Sequence, residues 1–126
     1  MRFMMMMMST EPSESDLPPD PKLGAAIGKF TVEMMKAGVV LMTGGLGPSS
    51  MATRIHLEGG VTSAVDGPFP ESKELASGFA IIQVKSKEEA LEYGRRFMAV
   101  HKEALGPSYQ GVLEIRPLVG PEDLHR

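Results

Sequence analysis

Two segments, Val39 to Met42 and Gly78 to Val84, are apolar along nearly their whole length, and this restricts the fold more than any other feature. Successive strand residues face opposite sides, so a strand with one face in water alternates polar with apolar. Both segments therefore read as interior strands with both faces covered. Only two helical stripes are at hand to cover them. Leu23, Ile27, Phe30 and Met34 recur at spacings of four, three and four, and Ala90, Gly94, Phe97 and His101 form a second stripe with Leu91 and Met98 beside it. Asp20-Pro21 opens the first helix with a capping carboxylate and a proline suited to the first turn, and Gly38 stops it. Ser86-Lys87-Glu88-Glu89 opens the second as a capping box, and Gly106-Pro107 lies beyond its end.

Phe3 to Met8 reads as a first buried strand. Thr53, Ile55 and Leu57 alternate with Arg54, His56 and Glu58; Gly59-Gly60 signals a hairpin, and Val61 to Val65 is its return strand. Val112 to Arg116 alternates again and closes the series. The order strand, helix, strand, hairpin, strand, helix, strand predicts an α+β fold, a ferredoxin-like βαββαβ core with an extra hairpin. Residues 1–120 form one domain and 121–126 a tail. The stretch 9–20, rich in Ser and Pro with Glu11, Glu14, Asp16 and Asp20 and no basic residue, reads as a mobile acidic loop. Two helices can cover only one face of such a sheet. The other is expected to meet a second copy of the chain in a symmetric homodimer; the alternative is that the hairpin and acidic loop fold over it.

Composition removes several classes of function. With 13 basic and 16 acidic residues, and no Lys/Arg block, there is no footprint for a nucleic-acid partner. The absence of cysteine removes disulfides, thiolate nucleophiles and zinc–sulfur sites. Met4 to Met8 are consecutive, so on a strand their thioethers point to alternating faces and cannot converge on one ion. The glycines at 44, 45 and 47 fit neither the dinucleotide nor the P-loop spacing, and no His/carboxylate spacing specifies a metal. No cofactor is expected. The apolar run from Phe3 to Met8 is shorter than the roughly 7–15 residues of a signal-peptide core and the roughly 20 of a membrane span. A cytoplasmic protein with no membrane partner is expected.

The candidate chemistry centres on Asp66, where Gly67-Pro68 forces a bend that could aim the carboxylate into a cleft. In an apolar pocket such a carboxylate can serve as a general base, with Lys73 as a nearby opposite charge. The alternative is that Asp66 accepts hydrogen bonds from its own turn, as Asp commonly does. Arg54 and His56 share one strand face and are candidates for holding an anionic ligand; the alternative is a solvated outer face. Ser49, behind Gly47-Pro48, is a candidate anion binder through its hydroxyl and neighbouring backbone N–H groups. His101 reads as structural, near the end of its helix, and His125 lies in the tail. A pocket is expected between sheet and helices, near Asp66 and the Ser49 turn, with a small molecule as its partner.

The run Asp66-Gly67-Pro68-Phe69-Pro70-Glu71-Ser72-Lys73-Glu74-Leu75, continuing into Gly78-Phe79-Ala80-Ile81-Ile82-Gln83-Val84-Lys85-Ser86, resembles the signature of DGPF-type, YCII-related proteins. The opening Met1 to Met5, Leu46-Gly47-Pro48-Ser49-Ser50 and Glu114-Ile115-Arg116-Pro117 are similar to that family too. The resemblance implies a dimeric α+β barrel. It also implies kinship with small isomerase, lactonase and dehydrochlorinase-like enzymes that carry a His–Asp pair in the cleft, and a regulatory setting beside extracytoplasmic-function sigma factors. Many relatives place a His before the Pro-Ser-Ser segment, where this chain has Gly47, so that His–Asp pair lacks its His here. Two readings stay open. One is a cofactor-independent, isomerase- or lyase-like proton-transfer enzyme with Asp66 as base and Arg54 or Lys73 steadying negative charge. The other is a non-catalytic ligand-binding or regulatory module.

Overall fold

The computed structural model describes residues 1–10, 20–69 and 74–121. Its elements run β1 (Arg2–Thr10), α1 (Pro21–Lys36), β2 (Val40–Gly45), a short 3-10 turn (Ser49–Met51), β3 (Thr53–Glu58), β4 (Val61–Asp66), β5 (Glu74–Gln83), α2 (Lys87–Leu105) and β6 (Val112–Pro117). The helix starts follow local chemistry. Asp20 Oδ1 accepts from the Lys22 and Leu23 amides at 2.8 and 3.3 Å, and Ser86 Oγ accepts from the Glu89 amide at 3.1 Å. The first strand outlasts the predicted Phe3 to Met8. Thr10 still pairs with Glu74, so the acidic stretch begins two residues later than expected; its residues 11–19 lie outside the described set.

Four strands form one antiparallel sheet in the order β2-β5-β1-β6, which is the ferredoxin-like arrangement, and β3 pairs with β4 in a separate two-stranded sheet. Register assigns the faces. Phe3 pairs with Ile82 and Met5 with Ala80, which places Phe3, Met5, Ala80 and Ile82 on the face that α1 and α2 cover. Phe3, Met5, Val39, Ile82, Val84 and Ala90 make the buried core, with Met34, Tyr93, Leu113 and Ile115 packed around it. α2 lies tight on the sheet at Gly94, where an added Cβ would come within 2.8 Å of Ile115 Cδ1. The opposite face carries Met4, Ile81 and Met42 in one row and Met6 in the next, with Arg116 and Glu114 at the β6 edge joined by an ion pair of 2.6 Å.

The hairpin turns through Gly59 and Gly60 at φ +57° and +78°, the positive values that a two-residue turn matching strand twist requires. Alternation along β3 had suggested an inner face for Thr53, Ile55 and Leu57, but Ile55 and Leu57 are 75% and 69% exposed. Every β4 residue is exposed as well, so the hairpin does not fold over the open sheet face. At its base the chain is clamped. The Gly67 amide donates to the Ala52 carbonyl at 2.8 Å, and a side chain at Gly67 would run into the Ser49 carbonyl oxygen.

Candidate functional site

Helix α1 has the predicted apolar stripe, yet none of its residues is buried. Met34 packs against the core, and the stripe as a whole borders a cavity of about 810 Å³. Leu23, Ile27, Phe30 and Met34 form the roof; Met5, Met7, Val40, Ala80 and Ile82 form the floor; Tyr93, Phe97 and His101 of α2 form one wall. Phe30 meets Phe97 with ring centroids 6.2 Å apart, a contact that bridges the two helices at the cavity. Among the described residues, no Asp, Glu, Lys or Arg lines the cavity.

The described polar side chains on the lining are Thr31, Thr43, Ser77, Tyr93 and His101, and three of them have local partners. Thr43 Oγ1 donates to the Phe79 carbonyl at 2.8 Å, and Ser77 Oγ to the Met7 carbonyl at 3.2 Å. His101 is only 4% exposed, and its Nδ1 lies 3.0 Å from the Phe97 carbonyl one turn earlier. A carbonyl only accepts, so this bond requires the proton on Nδ1, which in neutral imidazole leaves Nε2 as an acceptor. The ring meets Phe97 edge-on at 4.7 Å and stacks on Tyr109 at 5.5 Å and 25°. The Tyr109 hydroxyl lies against Gly111, where a Cβ would collide with it, and burial raises its pKa above the ordinary phenol value.

The residues that sequence singled out lie elsewhere, around the hairpin base. Asp66 is exposed, and its Oδ1 accepts from Thr53 Oγ1 at 2.8 Å across the hairpin. Arg54 stands 3.7 Å over the ring of Phe69, which is buried. Ser49 is buried beneath the same turn, and His56 is exposed on β3. The cavity does lie between sheet and helices, but its lining stops at Leu46 and includes none of Ser49, Arg54, His56 and Asp66. Lys73, Glu71 and His125 lie outside the described residues. His101, which the sequence reads as structural, is buried and bonded to its own helix, and it also lines the cavity. Its place four residues after Phe97 on the buried stripe was visible, but a stripe residue facing a void looks the same in sequence as one facing a packed core. Among the described residues no three His, Asp or Glu side chains converge as metal ligands do, and no helix is long and apolar enough to cross a membrane.

Compared with known proteins, residues 1–115 match the sequence profile of the YCII-related domain. An uncharacterized protein of Rhizobium meliloti (strain 1021) is 35% identical over 94 residues, which are 75% of this chain and 68% of that relative.

Proposed function

The chain belongs to the YCII-related domain family, and on that premise we propose that it binds a small, mostly apolar molecule in the cavity between α1 and the sheet. The observation that carries this reading is the cavity itself. Ligand pockets usually measure roughly 300–1,000 Å³ and are mainly apolar with a few placed polar groups, and this one measures about 810 Å³ with no charged residue in its described lining. Leu23 and Ile27 of the α1 stripe border the cavity and would gain apolar contacts from a bound molecule. A thermal-shift screen of small aromatic and alicyclic compounds tests the reading. A compound present at about 100 times its Kd should stabilise the wild type by about 2.7 kcal/mol. The same compound should leave Ala80→Phe, which fills the cavity floor, unmoved. If no apolar compound raises the melting temperature, the reading fails.

The second reading is catalytic: a cofactor-independent, isomerase- or lyase-like proton transfer with Asp66 as base. In its favour, Thr53 holds one carboxylate oxygen in a fixed orientation. Against it stand the exposure of Asp66 and its absence from the cavity lining. Binding without catalysis therefore stands first, and a sensor or regulatory role, including one beside a sigma factor, would use the same cavity.

We also propose that the chain works as a homodimer. Among the described residues no helix lies over the face of Met4, Met6, Ile81 and Met42, and an isolated two-stranded hairpin is marginal in water. Burying Ile55 or Leu57 against a partner would contribute about 1.5–3 kcal/mol each.

A further inference from the structure

The β3–β4 hairpin stands out from the rest of the chain with its apolar side chains in water. We propose that it is an exchanged arm: in a pair of chains, each hairpin lays its apolar face on the open sheet face of the other copy. The proposal rests on the homodimer argued above and says which surfaces make it.

Register decides which face the arm offers. Residues directly opposite in a two-stranded ribbon share a face, so Ile55 stands beside Ala64 and Leu57 beside Thr62, with Thr53 and Asp66 at the root of the same face. Arg54, His56 and Glu58 all belong to the other face. Asp66 is the one charged residue of the first face, and at the root it takes the Thr53 hydroxyl. The outer part of that face is therefore uncharged, and Ile55 and Leu57 are its exposed apolar groups.

The open sheet face has the matching chemistry. Met4, Ile81 and Met42 lie in one row and Met6 in the next, and Met42 is 57% exposed. Glu114 and Arg116 sit at the β6 edge, where they pair with each other. Unbranched thioether side chains adapt to an incoming surface, which suits a docking floor. The dimensions agree as well. Four strands about 4.8 Å apart span about 14 Å, and six hairpin residues extend about 20 Å, so one arm reaches across the sheet.

Within one chain the two surfaces do not meet. The arm follows β2, which is an edge strand. Its root is fixed by the Gly67 amide on the Ala52 carbonyl, the Thr53 hydroxyl on Asp66 and the Arg54 guanidinium over Phe69. Held there, it leaves Ile55 and Leu57 exposed. Two copies satisfy both surfaces at once. Arm on sheet, given and received, closes under a two-fold axis and leaves neither surface open to a third copy. A different protein would have to bring one apolar face for the arm and another for the sheet.

Two variants and their mixture test the exchange by light scattering coupled to size exclusion. Leu57→Lys charges the arm and Ile81→Lys charges the sheet face, and neither residue is in the buried core. Each variant alone should be a monomer at a concentration where the wild type is a dimer. Mixed in equal amounts they should associate, because the intact arm of Ile81→Lys meets the intact sheet of Leu57→Lys. The mixture should bind about tenfold or more tighter than either variant binds itself, the effect of burying one leucine again. A dimeric Leu57→Lys overturns the exchange and leaves the homodimer intact. A monomeric Leu57→Lys beside a dimeric Ile81→Lys means that arm meets arm, which also overturns it, as does a mixture that stays monomeric. A wild-type monomer overturns the homodimer and the exchange together. Should a lysine variant not fold, p-benzoylphenylalanine in place of Leu57 decides the matter by photo-crosslinking of mixed ¹⁵N-labelled and unlabelled chains. The adducts should join two copies and map to β1 or β5 of the second. Adducts elsewhere, or none between copies, overturn the proposal.

Discussion

The guanidinium of Arg54 lies 3.7 Å from the centre of the Phe69 ring, joining β3 to the turn that follows β4. Around that contact the Asp66-Gly67-Pro68-Phe69 run works as a joint. Phe69 is buried beneath the cation, Gly67 lies against the Ser49 carbonyl with no room for a side chain, and Asp66 takes the Thr53 hydroxyl. Residues that look like a reaction centre in sequence are here holding the root of the hairpin against the 49–51 turn.

Asp66→Asn should be nearly silent in stability and in ligand binding. The Asn carbonyl oxygen can still accept from Thr53, so the urea midpoint should reflect a change of at most about 1 kcal/mol. Affinity for any cavity ligand should match wild type. A tenfold loss of affinity, or the loss of a measured turnover, would return Asp66 to the functional site.

Gly67→Ala should be far more disruptive than its size suggests. The new methyl group would have to displace the Ser49 carbonyl, and forced overpacking of this kind costs about 1–3 kcal/mol. Urea unfolding measures it directly. A midpoint equal to wild type would mean that the hairpin root is looser than described.

Ile81→Lys addresses the open sheet face. Ile81 pairs with Met4 on the side away from the helices, so a lysine there leaves the chain's own core in place and burdens only a partner packed against the sheet. Light scattering coupled to size exclusion should report a dimer for wild type and a monomer for the variant, with unchanged far-ultraviolet circular dichroism. A wild-type monomer at tens of micromolar would end the dimer proposal.

Tyr109 should shape the alkaline limit of stability. Burial holds its folded pKa above the ordinary value, which is about 10. The unfolded tyrosine therefore ionises first as pH rises. The stability this group contributes is whole below about pH 10 and is lost as pH climbs from there through the folded value. Tyr109→Phe has no proton to lose, so between about pH 9 and pH 11 its urea midpoint should fall less than that of wild type. Equal falls would mean that the phenol is as well solvated in the fold as in the unfolded chain.

Local signals in the sequence proved readable because their causes are local. Asp20 and Ser86 accept amide hydrogen bonds within three residues of themselves, and Gly59-Gly60 needs only its own φ values. The alternation of Leu113 and Ile115 against Glu114 and Arg116 reports one covered face directly, and the whole order of elements follows from such periods. The alternation of Ile55 and Leu57 misled for the same reason: period two says that a face is to be covered, but not by what.

The sequence by itself determined the α+β topology, the helix caps, the hairpin turn and the family, since each depends on residues close in the chain or on a recognisable run of them. Only the tertiary structure decided where the site lies. Whether the Leu23–Met34 stripe packs on the sheet or stands off it depends on how α2, held close at Gly94, and the β2 edge together set the height of α1. That gap is a difference between distances across the fold, and no residue type encodes it. The same holds for His101, whose Nδ1 partner is local but whose place on the cavity lining depends on residues as far apart in sequence as Met5 and Leu113.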